Sequence, residues 1–223
     1  MSRAVIEFQW VRPPRQSRSQ ESLERILDAA EAVISAKGFD QATVAEIVRQ
    51  ANSSVGAFYG RFKEKNSLLR CLHKRFCEEA FATADAVLSP QRWQGASIAE
   101  ILNEVVPFLV DAYRQRKGLI SAFIIHATSD PGFSEAWTSL SKHLSQRFRA
   151  LLLERSEEIH HQEPRLAIDF GLQMLLCILD ELALCGDLDA SGLKLPDDQL
   201  PAELTRMFLR YLGIDRLGDS HEN

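Results

Sequence analysis

No stretch of this 223-residue sequence is long and apolar enough to cross a membrane. The most apolar run, residues 172–185, is interrupted by the acidic pair Asp180-Glu181 and falls short of the roughly 20 apolar residues that a spanning helix needs. Near the N-terminus, Glu7 and Arg12 interrupt the apolar core that a secretion signal would need. We therefore expect a cytoplasmic protein with no membrane partner.

Motifs of the common catalytic and metal sites are also missing. The sequence has no nucleophile elbow, no GxGxxG, no Walker loop and no HExxH. Its four cysteines have no zinc-like spacing: Cys71, Cys77, Cys177 and Cys185. These absences predict a protein that is not an enzyme and that holds no metal or cofactor, with free thiols.

Alternating β-branched residues, which are typical of half-buried strands, are absent, and so are internal repeats. The sequence shows helical periodicity instead, because apolar residues recur every three or four positions in about nine segments. Ser97 predicts the start of a helix that runs to about Gln115, and Asp130-Pro131 predicts the start of another. The pattern predicts an all-α fold of about nine helices.

Charge is unevenly distributed along the chain. Residues 1–75 carry 13 Lys and Arg against 8 Asp and Glu, a formal balance of +5, whereas the remaining residues carry 13 against 23, a balance of −10. A basic segment attached to an acidic body favours a module that binds a polyanion. Four arginines and a Pro-Pro pair within residues 1–19 predict a flexible basic arm.

Two short helices joined by a turn, 43–50 and 54–61, fit a helix-turn-helix motif over residues 43–62. In that motif the second helix reads the major groove of DNA, so its reading face needs small or polar side chains. Ser54, Gly56 and Ala57 meet this need. Polar and basic residues that could meet phosphates follow: Tyr59, Arg61, Lys63 and Lys65.

Residues 20–80 resemble the tetracycline-repressor (TetR) family. The resemblance rests on five runs in matching order and spacing: Ile26-Leu27-Asp28-Ala29-Ala30, Gly38-Phe39, Ala42-Thr43-Val44-Ala45-Glu46-Ile47, Ser54-Val55-Gly56-Ala57-Phe58-Tyr59-Gly60-Arg61-Phe62 and Lys63-Glu64-Lys65-Asn66-Ser67-Leu68-Leu69. It implies a DNA-binding domain at 20–80, a ligand-binding and dimerisation domain at 81–215, and a tail at 216–223. It also implies binding to double-stranded operator DNA.

The resemblance implies roles for individual residues of the motif. Thr43 would be a phosphate-contacting helix cap, and Ser54 and Ala57 would face the bases. Tyr59 and Lys65 would contact the DNA backbone.

Three positions of the motif depart from the family pattern, in which glycine and valine usually stand where this chain has Asn52-Ser53. Asparagine tolerates the left-handed backbone of a turn, and Ser53 is an additional candidate for a phosphate contact. Gly60 replaces a polar or aromatic residue and is expected to loosen the end of the reading helix. Val55 is a further candidate for setting the preferred DNA sequence.

Candidate ligand-binding residues lie on three successive apolar segments of the second domain. They comprise aromatic, sulfur-containing and polar side chains, with Asp169 as a further polar group: Phe123, His126, Trp137, Phe170, Gln173, Met174 and Cys177. For each residue the alternative is an ordinary place in a hydrophobic core. If they line a pocket, its ligand should be a small, largely hydrophobic molecule, with an aromatic one also admitted.

Two C-terminal helices, 166–185 and 199–212, predict the dimer interface, because the first is apolar nearly all round. The combined features predict a ligand-responsive repressor that binds operator DNA as a homodimer. Three alternatives stay open: an activator, an architectural DNA-binding protein without a ligand, and an enzyme built on a helical bundle. The acidic second domain argues against the architectural protein, and the missing motifs argue against the enzyme.

Overall fold

The computed structural model describes residues 18–186, 196 and 198–214, with side chains from Glu21 onward. Within these residues it forms nine α-helices and two short 3₁₀ helices, and no strand: α1 (Arg18–Lys37), α2 (Val44–Gln50), α3 (Val55–Tyr59), α4 (Lys65–Val87), α5 (Ile98–Gln115), α6 (Lys117–Ala127), α7 (Pro131–Leu153), α8 (Pro164–Cys185) and α9 (Gln199–Tyr211), with 3₁₀ turns at Pro90–Trp93 and Ser156–Glu158. The predicted all-α class is confirmed. The predicted arm, except for its last two residues, and the predicted tail lie outside the described residues.

The helix ends follow from capping side chains. Ser97 begins α5 with a capping box, in which its side chain accepts from the Glu100 amide while the Glu100 carboxylate accepts from the Ser97 amide. The Asp130 side chain accepts from the Gly132 amide at the start of α7, with Pro131 in the first helical position. These two predicted helix starts are confirmed.

The head of the molecule consists of α1, α2, α3 and the first turns of α4. Its core is closed by large apolar side chains that are fully buried: Ile26, Ile34, Ile47, Phe58, Leu68 and Leu69. This cluster holds the two short helices of the helix-turn-helix in place, although short helices are marginal on their own.

The body consists of α5, α7, α8 and α9 around a second hydrophobic cluster. Gly171 of α8 lies directly under the Phe208 ring of α9, so that a Cβ at this position would stand 2.2 Å from a ring carbon. Glycine is therefore required here, since it lets the two helices approach closely.

Head and body share two elements. The helix α4 is continuous from Lys65 to Val87, so the predicted domain boundary at residue 80 falls inside it. The start of α6 packs on the end of α1, where a Cβ on Gly118 would lie 2.2 Å from the Ile34 carbonyl oxygen. The hydrophobic cluster of the head continues into α6 and to Phe133 of α7. Head and body are therefore joined by packed helices rather than by a linker.

Among the described residues, no helix has the length and hydropathy that crossing a membrane requires.

Candidate nucleic-acid interface and ligand cavity

The reading helix α3 is set by the turn before it. Asn52 has φ of 48°, the left-handed conformation that its side chain was predicted to tolerate. The Ser53 amide donates to the Val48 carbonyl at 2.8 Å, which closes the turn. Ser54 then caps α3 by accepting a hydrogen bond from the Ala57 amide at 3.1 Å.

One side of α3 is buried and the other faces solvent. Phe58 is fully buried, whereas Ser54, Gly56 and Ala57 are exposed and small, and Val55 is 47% exposed. A helix with small groups and one exposed branched aliphatic side chain fits the major groove, where an apolar group can contact a thymine methyl.

Polar and basic side chains surround the exposed end of α3. Tyr59 is 55% exposed, and its ring stands edge-on to Phe58 at 5.3 Å. Arg61 and Lys63 are also exposed, and Ser53 is half-buried in the turn. This arrangement places a phenol hydroxyl and two cations beside the reading face, where DNA phosphates would pass.

Thr43 is used as a helix cap. Its hydroxyl accepts from the Glu46 amide at 3.3 Å and donates to the Glu46 carboxylate at 2.8 Å. Because a threonine hydroxyl has one proton, it cannot donate to a phosphate at the same time. Hydrogen bonds from Lys37 and then Thr43 lower the pKa of Glu46 to about 2, so this carboxylate stays ionised and joins α1 to α2.

Lys65, a predicted contact to the DNA backbone, is hydrogen-bonded within the head. Its ammonium group donates to the carbonyls of Phe39, Asp40 and Ala42, at 2.7, 3.4 and 3.1 Å, and lies 4.3 Å from the centre of the Phe39 ring. All three N–H donors therefore point at the loop between α1 and α2. The side chain fastens this loop to the start of α4.

A cavity of about 310 Å³ lies between α4, α5, α7 and α8. Aliphatic and aromatic side chains form most of its wall, including Phe76, Phe108, Trp137 and Phe148. The polar side chains on its wall are fewer: Thr83, Tyr113, Ser141, Gln173 and Asp180. A largely apolar concave space with a few polar groups is the usual form of a small-molecule site.

Two of the seven predicted ligand-binding residues, Trp137 and Gln173, line this cavity. Phe123 is buried in the core, with its ring centre 4.8 Å from that of His73. His126 lies at a separate cleft between α1 and α6, with its ring nitrogen 2.8 Å from the Ala122 carbonyl oxygen.

The other three predicted residues lie on parts of α8 that do not line the cavity. Phe170 is 48% exposed and its ring lies 5.5 Å from that of Tyr211 of α9. Met174 is half-buried and Cys177 is exposed. An apolar helix gives no periodic signal for which of its sides faces a cavity.

Sequence reasoning missed the polar pair at the cavity wall. Tyr113 of α5 donates to the carboxylate of Asp180 of α8 at 3.0 Å. Burial raises the pKa of Asp180 above its usual value and, with the nearby Asp180 carboxylate, raises the pKa of Tyr113 well above its own. The available signal was the position of Asp180 within an apolar helix, since an acid that is partly withdrawn from water needs a partner.

A buried ion-pair network joins the head to the body. Arg75 of α4 is 4% exposed and pairs with three carboxylates of α1, those of Glu24, Asp28 and Glu31. Arg116, between α5 and α6, pairs with Glu31 at 3.0 Å and reaches Glu79 of α4 at 3.4 Å. The network thus joins α1, α4 and the α5–α6 junction, and Arg75, Glu31, Glu79 and Arg116 are its least exposed members.

The outer face of α8 carries exposed apolar side chains, Leu166, Phe170 and Leu184, at 51, 48 and 41% exposure. Met207 and Tyr211 of α9 lie half-buried, with Tyr211 against Phe170. An exposed apolar face of this kind marks an interaction surface.

Residues 26–72 match the model of the bacterial regulatory proteins of the tetR family. The uncharacterized HTH-type transcriptional regulator YvdT of Bacillus subtilis is 48% identical over 46 residues, which make up 21% of this chain and 24% of YvdT. The chain therefore matches about a quarter of the length of this curated relative.

Solved structures extend the likeness to the body. A protein of Mesorhizobium loti assigned to the TetR family is 19% identical, with a TM-score of 0.67 over 89% of this chain and 98% of its own. FadR of Bacillus subtilis, solved in complex with stearoyl-CoA, is 19% identical, with a TM-score of 0.53 over 83% of this chain and 97% of its own. At such identities the likeness concerns the fold alone. The likeness to the tetR family of bacterial regulatory proteins thus rests on residues 26–72, and the solved structures extend it to the body as a likeness of fold.

Proposed function

We propose that this chain is a homodimeric repressor that binds operator DNA through α3 and releases it when a small apolar molecule fills the cavity. The observation that carries the proposal is the course of α4. This helix begins just after the reading helix and supplies Phe76, Thr83 and Val87 to the cavity wall. A ligand that displaces α4 therefore changes the position of the head.

On the DNA side, we assign base contacts to Ser54, Val55 and Ala57, which are exposed on the reading face. Phosphate contacts are assigned to exposed side chains beside that face: Ser53, Tyr59, Arg61 and Lys63. Thr43 and Lys65 act as positioning residues, because their donors are bound within the head. DNA binding by Lys65 would first require it to leave three carbonyl acceptors.

For the dimer, we propose that α8 and α9 pack against the same helices of a second copy. The exposed side chains of α8 support this, since burying a large apolar side chain contributes about 1.5–3 kcal/mol. A two-fold arrangement also presents two reading helices to successive major grooves, about 34–36 Å apart.

For the switch, the ligand must bind the DNA-free dimer better than the DNA-bound one. A tenfold loss of DNA affinity needs a difference of about 1.4 kcal/mol, which a few buried apolar contacts supply. The ion pairs of Arg75 and Arg116 connect the cavity helices to α1, so they are suited to carry the change.

An acyl-CoA such as the ligand of FadR from Bacillus subtilis is a less suitable occupant. Its phosphates require cationic partners, and none of the described residues that line this cavity is Lys, Arg or His. We therefore propose a small apolar ligand without phosphate groups.

Selection of a randomised duplex pool on the full-length protein tests the DNA-binding proposal. We expect enrichment of a two-fold symmetric sequence, and sedimentation at micromolar concentration should give a dimer. The proposal would be contradicted if no sequence were enriched, or if a monomer bound the selected duplex as tightly as the dimer does.

A transcription assay with the selected site placed over a promoter separates repression from activation. Repression should result, and increased transcription would favour the activator instead.

A further inference from the structure

We infer that the cavity selects a hydrophobic cation, an amine or quaternary ammonium with an aromatic or aliphatic body. The inference rests on the proposed ligand-binding function of this cavity and names the class of molecule that it takes. It is carried by a carboxyl group within an apolar, aromatic wall that contains no cationic side chain among its described residues.

The charge of the cavity is uncompensated. Asp180 accepts one hydrogen bond, from the Tyr113 hydroxyl, and none of the described ion pairs includes it. Arg116 lies against Phe76, at 5.8 Å from the ring centre, but its guanidinium pairs with Glu31 and Glu79. Asp180 is half-buried, and a carboxylate partly withdrawn from water without a cation is disfavoured, so a ligand that brings a positive charge is favoured over a neutral one.

Aromatic rings supply the second attraction. The rings of Phe76 and Trp137 are nearly parallel, at 14°, with their centres 6.2 Å apart, and Phe108, Tyr113 and Phe148 complete an aromatic lining. The faces of aromatic rings attract cations, most strongly where water is excluded, and Trp gives the strongest effect. A cation held between these rings and Asp180 interacts favourably with both.

The hydrogen bonding of the wall also discriminates against anions. The Tyr113 proton is donated to Asp180, so it is not offered to a ligand while that bond is kept. An anionic ligand would meet a second negative charge at Asp180 and no cation on the described wall.

Two probes of the same shape test the inference: phenethyltrimethylammonium and its neutral analogue, in which a carbon replaces the nitrogen. Calorimetry on the full-length protein without DNA measures both affinities, with phenylbutyrate as the anionic comparison. We expect the cation to bind at least tenfold more tightly than the neutral analogue, and the anion to bind most weakly. This comparison on the native protein requires no variant.

Asp180→Asn should reduce the preference for the cation to about twofold or less, because it removes the charge while it keeps an acceptor for Tyr113. Asp111→Asn is the matched control, since this exposed acid on α5 undergoes the same chemical change outside the cavity. It should leave the preference unchanged.

Equal binding of the two probes, binding of neither at millimolar concentration, or a preference that survives Asp180→Asn would overturn the inference. The duplex selection described above is independent of these outcomes. If it succeeds while calorimetry shows no cation preference, the DNA-binding function stands and only the ligand class is wrong. If selection fails while calorimetry shows the cation preference, the ligand class stands and the DNA-binding proposal is wrong.

Discussion

The DNA-binding head and the cavity of the body present their functional side chains in opposite settings. In the head they stand on one short helix and the residues beside it, exposed to solvent above a closed core. In the body they come from α4, α5, α7 and α8 and face inward. Substitutions at the reading face should therefore change DNA binding with little effect on stability. Substitutions inside the body, or in the joint where α1, α4 and α6 connect the head to the body, should change both.

The joint between the two regions is built like an interior. It contains the ion pairs of Arg75 and Arg116, the buried imidazole of His73 and the close contact at Gly118. A single substitution at each of these features should change the free energy of unfolding, unlike a substitution at the reading face.

The largest effect should come from Arg75→Met, which keeps much of the side-chain volume and removes the charge. Glu31, the least exposed of the three carboxylates, loses an ion-pair partner, while the more exposed Glu24 and Asp28 are partly screened by water. We therefore expect a loss of about 3 kcal/mol in the free energy of unfolding. Urea unfolding measures it. Lys74→Met, at the exposed neighbouring position, should change stability by less than about 0.5 kcal/mol. Equal effects of the two substitutions would contradict a buried joint.

The second effect concerns acid stability. Burial lowers the pKa of His73 from 6.5 to about 4, so the unfolded chain takes up a proton near pH 6.5 that the folded chain accepts only near pH 4. The unfolded state binds more protons in this window, and stability should fall by up to about 3 kcal/mol as the pH drops through it.

Unfolding of His73→Leu at several pH values tests this assignment. The variant should lose this part of the decline between pH 6.5 and 4, whereas His160→Gln, at an exposed position, should retain it. If the stability of His73→Leu fell with pH as steeply as that of the unsubstituted protein, another group would be responsible.

The third effect comes from Gly118→Ala. The added methyl group would stand 2.2 Å from the Ile34 carbonyl oxygen and 3.0 Å from that of Ser35, so α6 must move away from α1 at a cost of about 1–3 kcal/mol. Gly56→Ala is the matched control on α3, where the new Cβ would stand 3.9 Å from the Ser54 hydroxyl oxygen. It should keep or raise the free energy of unfolding, by up to about 1 kcal/mol. Thermal or urea unfolding of both variants decides whether α1 and α6 are packed as described.

The smallest effect concerns the head alone. Tyr59→Phe removes one proposed phosphate contact and should weaken DNA binding about fivefold, near 1 kcal/mol, without changing the preferred sequence or the unfolding free energy. Fluorescence anisotropy with selected and random duplexes measures both affinities. Tyr211→Phe on α9 should leave them unchanged. A change of sequence preference in Tyr59→Phe would instead place this hydroxyl on a base.

The local features of the head were predictable from sequence because its motif is contiguous. The cap at Thr43, the left-handed turn residue Asn52 and the exposed face at Val55 follow from residues within a few positions of one another. The position of the Lys65 ammonium was not predictable in this way, since its acceptors lie in a loop 23 to 26 residues earlier.

The cavity could be predicted only in part, because its wall is assembled from distant segments. Trp137 and Gln173 were among the expected residues, but the pairing of Tyr113 with Asp180 joins positions 67 residues apart. Phe170 was a candidate for the ligand site, and the structure places it on the exposed face of α8. A helix that buries one face in the core and exposes apolar groups on another has no clear polar side to distinguish the two. Sequence periodicity gives the helices, while tertiary packing decides which faces enclose the cavity.

The proposed switch requires that the cavity and the reading helix are coupled, and a reciprocal binding measurement shows whether they are. The dissociation constant of the selected duplex is measured with and without a saturating amount of whichever probe binds the cavity more tightly, and the probe affinity is measured with and without the duplex. Coupling requires that both affinities fall by the same factor, which we expect to be tenfold or more. If the probe binds the cavity but both factors equal one, the two sites are independent and the proposed switch is wrong.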